Sequence, residues 1–374
     1  YVAASLEQRE VEVKVHDLGF DPDQTELRLL LKKWKPEIIG ITCTTPLYPH
    51  ARHVAGLVKE LLPESWVILG GIHPSVAPEQ SLADSAADIA AVGEGEILLP
   101  LLVEAYPERE AAVRLPGVVA RQNGEIVKGP AAERIADLDS LPLPARHLVD
   151  VRRYLSASGH DRIKWSLPQP ALPIIASRGC PYRCAFCASE LVHGKRIRLR
   201  SVQNIRRELE ALIAEYGIRG VYFYDDTLTF NAEWLEQLCM MLADFGLRWI
   251  CGTRLDRVTR PVLELMKNSG CVLISYGIES GDQEMLNKVL RKGLTLEQIR
   301  QNMKLTREVG IATLANYILG FPGETEESMK KTIAFSREID SDIAEFSIYM
   351  ALPGTELAAT AARRGEIEKD LSRL

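Results

Sequence analysis

Short apolar runs and amphipathic stretches alternate along the chain, and their periods predict strands and helices in turn. Val11, Val13 and Val15 alternate with polar residues and predict a short strand ending at Asp17. Residues 27–34 predict a helix, and the apolar run 37–42 predicts a parallel strand buried on both faces. A second helix follows, with Val54, Leu57, Val58, Leu61 and Leu62 on one face, then a strand at 66–69 that ends in Gly70-Gly71. A last strand at 88–92 runs into Gly93-Glu94-Gly95-Glu96 and feeds a helix through Leu102. This rhythm predicts a Rossmann-like α/β unit over residues 1–105. Its Gly and Thr residues sit in loops at strand carboxyl ends, where open α/β sheets place ligands. The chain opens at Tyr1 inside a helical pattern, so the unit is expected to lack its first strand and the sequence reads as a fragment.

Residues 106–170 break the rhythm. Val118 to Val127 around Asn123-Gly124 predict a β-hairpin, because Asn-Gly accepts the positive φ angles of a type I′ turn. Leu141-Pro142-Leu143-Pro144 predicts an extended linker, since each proline disfavours helix in the residue before it. From 171 to 374 the alternation returns, with strands at 173–177, 220–225, 248–253, 271–278, 312–319 and 343–350, the first five each followed by a helical pattern. Val202, Ile205, Leu209, Leu212, Ile213 and Tyr216 mark one such helix, and Thr295 with Gln298 marks a capping-box start for another. Six repeats predict a partial (β/α)6 TIM-like barrel, open on one side, with its chemistry at the strand carboxyl ends.

Composition narrows the class. With 46% hydrophobic and 26% charged residues, the chain is an ordinary folded protein and not disordered, collagenous or coiled-coil. No apolar run approaches the roughly 20 residues of a membrane span and no secretory signal opens the chain, so the expected location is the cytoplasm. A net charge of −6 argues against a nucleic-acid partner held by bulk charge. The local strip Lys195, Arg196, Arg198 and Arg200 is either a phosphate or carboxylate contact or a solvated loop.

The seven cysteines carry the candidate chemistry. An odd number without an export signal argues for thiol or metal roles over disulfides. Cys180, Cys184 and Cys187 fall in the loop after the first barrel strand, and spacings of four and three let one loop wrap three thiolates around one iron–sulfur cube. Three thiolates leave one iron of a four-iron cluster open to substrate or cofactor. The alternative is a zinc site completed by His193 or Cys239, although no second Cys-x-x-Cys pair exists.

At these residues the sequence resembles the radical S-adenosylmethionine (SAM) enzymes, whose signature is Cys-x3-Cys-x2-Cys with an aromatic, here Phe186, before the last cysteine. The resemblance spans 173–353 and implies a [4Fe-4S] cluster on Cys180, Cys184 and Cys187. In that family the open iron chelates SAM, and one electron splits it to methionine and a 5′-deoxyadenosyl radical. Phe223-Tyr224-Asp225-Asp226-Thr227 stands where many relatives carry Gly-Gly-Glu, so one of Asp225 and Asp226 is implied to hold the SAM ammonium, unless it caps a helix. Arg254 and Glu279 are implied at the methionine end or ribose, Gly320 and Phe321 near the adenine, with Tyr224 and Ser275 in the same set. For each, a structural ion pair or turn is the alternative.

The preceding α/β unit is similar to the cobalamin-binding domain of cobalamin-dependent radical SAM enzymes. The matching pieces are residues 36–42, 70–75 and 93–96 and the linker at 138–146. Thr42, Thr45, Gly70, Gly71, His73, Gly93, Gly95 and Glu96 are the implied corrinoid contacts, small residues letting the backbone approach a flat macrocycle. The Asp-x-His-x-x-Gly sequence that ligates cobalt from below is absent, so base-off cobalamin without a protein imidazole is expected. The resemblance implies methylation of an unactivated carbon: the radical abstracts hydrogen, methylcobalamin supplies the methyl group, and a second SAM restores it. Rivals are a ring-forming cyclase of the magnesium-protoporphyrin type and a non-catalytic cluster or corrinoid carrier. A methylthiotransferase fits poorly, because only Cys43 lies in the first unit. Expected partners are a small-molecule, lipid or tetrapyrrole-like substrate and an electron donor such as flavodoxin or ferredoxin.

Overall fold

A computed structural model describes residues 1–156 and 167–366. The linker portion at 157–166 and the barrel end at 367–374 lie outside the described residues.

The first unit is built on a five-stranded sheet with order β1 (Ile38–Thr42), β2 (Trp66–Gly70), β3 (Ile89–Ala91), β4 (Val118–Gln122) and β5 (Glu125–Lys128). The first three strands are parallel, and β2 and β3 are buried as their apolar runs predict; β1, expected to be buried on both faces, is instead the edge strand, with Gly40 and Thr42 exposed. Val67 and Leu69 pack against Leu27, Leu31, Val54, Leu57 and Val58 from helices Thr25–Trp34 and Tyr48–Leu61. Trp66 and Ile68 look the other way, onto Leu98 and Leu102 of the helix Gly95–Ala105. The hairpin forms as expected, with Asn123 and Gly124 at φ 52° and 84°. Its strand β4 pairs antiparallel with β3, so the hairpin read as part of the connection extends the sheet of the first unit.

One expected strand is corrected. Val11, Val13 and Val15 form no ladder among the described residues, and Val15 is exposed. Alternation marks a half-buried extended chain, but a strand also needs a neighbouring backbone to bond.

The second unit holds six parallel strands in sequential order: β6 (Ala171–Ile174), β9 (Gly220–Phe223), β10 (Arg248–Thr253), β11 (Cys271–Glu279), β12 (Ala312–Leu319) and β13 (Ile343–Ile348). Strands β6 and β13 are the two ends of that order and do not pair, so the barrel is open on one side. The short strands β7 (Ser177–Arg178) and β8 (Arg198–Leu199) form a separate ladder that brackets the cysteine loop. Val221, Cys251, Ile274, Ala315 and Tyr317 face the outer helices, while Ile250, Leu273 and Leu314 fill the inner side of the sheet. The helix Val202–Tyr216 starts where the Ser201 hydroxyl accepts from the Asn204 N–H and stops at left-handed Gly217. The capping box of Thr295 and Gln298 is present.

Parallel strands deliver all their following loops to one end. The cysteine loop follows β6, Asp225 and Asp226 follow β9, Arg254 follows β10, Glu279 ends β11, and Gly320 follows β12. The first unit turns its own loop end toward this one, where its short helix Ile72–Val76 packs on the helix Ser189–His193.

Candidate active site at the facing loop ends

The cysteine loop is held by backbone bonds at several points. Cys180 N–H donates to the Gly194 carbonyl (3.1 Å), Ala185 N–H to Leu290 (3.0 Å), and Cys187 N–H to Cys184 (3.1 Å). Gly179 has φ 104°, and a Cβ there would collide with the Arg196 carbonyl, so only glycine admits this approach. Cys180, Cys184 and Cys187 are free and lie on the accessible side of the loop, whereas Cys239, Cys251 and Cys271 are sealed in the core. Burial pushes the Cys180 thiol up and the Cys187 thiol to about 11, an effect a coordinated metal reverses by drawing off the proton.

The donor chemistry fits a cluster better than a single ion. Cys239, one of the two residues that could complete a zinc site, is walled off in the core, away from the accessible cysteine loop. A four-iron cube binds its thiolates at separate corners and tolerates sulfurs set apart along one loop.

The two aspartates part company. Asp225 is buried, accepting from the Ser177 hydroxyl (2.5 Å) and the Ala176 N–H (3.2 Å), so its carboxyl braces the chain entering the cysteine loop. Asp226 is the carboxylate left at the surface of the site, bonded to the Ser189 hydroxyl (2.5 Å).

Burial raises the Asp225 carboxyl from its ordinary 3.8 to about 7. The folded chain therefore keeps a proton that the unfolded chain releases near pH 4. Asp225 favours folding most below that pH, and its contribution is lost as pH rises through about 7. Urea unfolding should show the stability of the wild type falling, relative to Asp225→Asn, by about 3 kcal/mol between pH 4 and 8. A constant difference across that window would refute the assignment.

Positive groups cluster on the other side of the loop. Arg254 stacks over the Tyr182 ring at 3.6 Å, bonds Asp256 through two nitrogens, and reaches Cys184 Sγ at 3.8 Å. Glu279, at φ 71° beside a register shift in β11, pairs with Lys292 at 2.6 Å, both side chains buried. A Cβ on Gly277 would strike both partners of that pair, so the missing side chain makes its room. Ser275 accepts from Asn316 (2.8 Å), and both lie on the inner side of the sheet. Phe186 packs against Phe321, with ring centroids 5.8 Å apart, and Phe321 against Tyr349. The Gly320 and Phe321 N–H groups both donate to Glu324, which fixes that turn. Tyr224 is exposed beside Tyr222.

In the first unit, Thr42, Gly70, Gly71 and Gly93 come together at the ends of β1, β2 and β3. A Cβ on Gly71 would lie 2.5 Å from Thr42 Oγ1, and the Gly93 N–H donates to Ser75 Oγ at 3.0 Å. Thr45 and His73 turn inward: His73 is fully buried, stacked on Tyr48 at 4.1 Å, with Nδ1 3.3 Å from Thr45 Oγ1. Burial lowers its pKa to about 4. The structure therefore does not bring His73 to the loop surface. Gly95 packs under Val2, and Glu96 bonds Arg178 instead of standing free at the loop surface.

Arg178, Glu94 and Lys292 are not legible as site residues in the sequence, because their partners lie 84, 84 and 13 positions away. The local signal was the pair of acids in Gly93-Glu94-Gly95-Glu96, which charge alone does not match to an arginine in another unit.

Residues 174–336 match the radical SAM superfamily and residues 1–103 the B12-binding domain. An uncharacterized methyltransferase of Pyrococcus horikoshii is 32% identical over 95% of this chain and 76% of its own length. Cytidylyl-2-hydroxyethylphosphonate methyltransferase of Streptomyces wedmorensis is 26% identical over all of this chain and 78% of its own. The anaerobic magnesium-protoporphyrin IX monomethyl ester cyclase of Rubrivivax gelatinosus is 29% identical over 93% and 61%. In fold, the chain is similar to the radical SAM methyltransferase TsrM of Kitasatospora setae, solved with cobalamin and a [4Fe-4S] cluster (TM-score 0.78, 23% identity, 97% of this chain and 71% of that one). With a Rossmann-like B12-binding unit facing an open barrel that carries the three-cysteine loop, this chain belongs to the cobalamin-dependent radical SAM enzymes.

Proposed function

We propose that the protein methylates an unactivated carbon of a small organic substrate held between the two loop ends. The observation that carries this reading is the packing of the helix Ile72–Val76 on the helix Ser189–His193, which sets the two cofactor-type loop sets against each other. When bound, the cluster and SAM supply a hydrogen-abstracting 5′-deoxyadenosyl radical, and methylcobalamin supplies a methyl group.

The chain's residues bind and orient. Cys180, Cys184 and Cys187 hold the cluster. Asp226 takes the SAM ammonium, because Asp225 is committed to Ser177 and Ala176. Arg254 and Lys292 lie on the side of the methionine carboxylate, with Glu279 fixing the Lys292 amine. Ser275 and Asn316 face the ribose, and Phe186 with Phe321 forms the apolar wall for the adenine. Thr42, Gly70, Gly71 and Gly93 would form the corrinoid floor.

The electron enters from a small donor of the flavodoxin or ferredoxin type, which exposed Cys187 leaves room to approach. A cluster that works reduced favours the cytoplasm as the place of the reaction. No described helix is long and apolar enough to cross a membrane.

The test is anaerobic incubation with cobalamin, SAM, reductant and candidate substrates. S-adenosylhomocysteine and deoxyadenosine should appear together, with a product heavier by one methyl group; ring closure or oxygenation would instead support the cyclase reading. Asp226→Ala should weaken SAM binding by about 10- to 100-fold, the worth of a charge-assisted hydrogen bond. Equilibrium dialysis with labelled SAM checks this, and unchanged binding would remove Asp226 from the site.

A further inference from the structure

A group of four charges lies between the two units, beside the cofactor loops. Arg178, two residues before Cys180, donates through Nη1 to Glu94 (2.9 Å) and through Nη2 to Glu96 (2.5 Å). Arg198, on the strand that pairs with Arg178, donates to the other Glu94 oxygen at 2.7 Å. Glu94 also accepts from the Ile135 N–H (2.7 Å), and Arg198 donates to the Ile135 carbonyl (2.6 Å) and the His193 carbonyl (3.0 Å). The four side chains are 9%, 4%, 7% and 5% exposed for Arg178, Glu94, Glu96 and Arg198. Two acids and two bases leave no net charge.

Such a group is a poor way to gain stability, because desolvating four charges offsets most of their attraction, and apolar residues of similar size often do as well. It is a good way to fix a distance. A guanidinium presents donors in a rigid planar fork, so one arginine spanning two carboxylates sets separation and angle together. Here the fork joins the chain entering the cysteine loop to the loop that flanks the corrinoid floor. The Ile135 bonds add the connecting segment as a third fixed point.

We propose, on the reading that the two loop ends hold two cofactors, that Arg178, Glu94 and Glu96 are positioning residues that lock the cluster loop at one distance from the corrinoid loop. None of them touches a reacting atom. A substrate radical must meet its methyl donor within contact distance, and a displacement of about 1 Å can cost 100-fold in rate.

The test uses the full chain reconstituted anaerobically with iron, sulfide and cob(II)alamin, with pulsed dipolar electron paramagnetic resonance reading the distance between reduced cluster and cob(II)alamin. Two variants are compared with the wild type. Arg178→Lys keeps the charge and loses the fork; the pair Arg178→Met with Glu96→Leu removes the contact without stranding a charge, leaving Glu94 with Arg198. Both are expected to keep a full cluster and cobalamin binding within about threefold of the wild type. The distance distribution should broaden about twofold in both. An unchanged distribution in both variants overturns the lock while leaving the two-cofactor reading intact. Loss of cluster and cobalamin together in the paired variant also overturns it, since the residues would then hold the fold and not the distance. A wild type that takes no cobalamin overturns the two-cofactor reading itself, and the proposal with it.

Discussion

Cys184→Ala should reduce deoxyadenosine formation to the no-enzyme background, and Cys180→Ala and Cys187→Ala should do the same. The loss should be total if the three thiolates hold the cluster whose electron breaks the SAM carbon–sulfur bond. Two remaining ligands leave the cube with a second open iron, and an accessible loop gives solvent a path to it. The fold should survive, since the main-chain bonds of Cys180, Ala185 and Cys187 to the Gly194, Leu290 and Cys184 carbonyls stay in place, and only the weaker contacts of Ser189 and Arg254 with the sulfurs are lost. The measurement pairs iron content after anaerobic reconstitution with chromatographic detection of deoxyadenosine. Retained deoxyadenosine formation in any of the three would sink the cluster assignment.

Gly71→Val should act on the other half alone. Gly71 sits at φ 91°, ψ −159°, a region essentially closed to residues with a side chain. A Cβ there would stand 2.5 Å from Thr42 Oγ1 and 3.0 Å from the Cys43 carbonyl. Backbone strain of about 1–3 kcal/mol adds to that collision, and the end of β2 must shift away from β1. Cobalamin uptake should fall below detection by absorbance after gel filtration, while iron content and SAM cleavage to deoxyadenosine stay near the wild type. Normal corrinoid retention would show that the floor lies elsewhere. Together the two substitutions separate the halves of the molecule, each removing one cofactor and sparing the other.

Much of this architecture is legible in local pattern. The hydrophobic pattern marks the six barrel strands and the helices after the first five, because most of these elements bury a face against their neighbours; the helix Glu356–Arg364 after the largely exposed sixth strand is not read from it. Cys180, Cys184 and Cys187 are legible for a different reason: three candidate ligands that fall on one loop are close in sequence. What stays hidden is whatever depends on distant partners. Val11, Val13 and Val15 have the alternation of a strand, but pairing is decided by a backbone elsewhere in the chain. Asp225 and Asp226 are neighbours of identical chemistry, and only the position of Ser177 on another strand separates the buried brace from the carboxylate at the surface, which Ser189 bonds. His73 and Glu96 look like binding residues in their glycine-rich turns. One is drawn inward by Tyr48 and Thr45 and the other is taken up by Arg178, 82 positions on.

The bracing of the cysteine loop bears on how a cluster gets into the protein. A zinc finger orders its chain only when the metal arrives, so much of its binding energy is consumed in folding. Here main-chain contacts shape the loop: Gly179 is turned against Arg196, and Cys180 and Ala185 are tied to Gly194 and Leu290. Fixing a residue costs about 1–2 kcal/mol of backbone entropy, and main-chain bonds that involve no sulfur offset part of that cost here. Less of the energy of cluster binding should then be consumed in ordering the loop, and circular dichroism should change little when iron and sulfide are added to the metal-free protein.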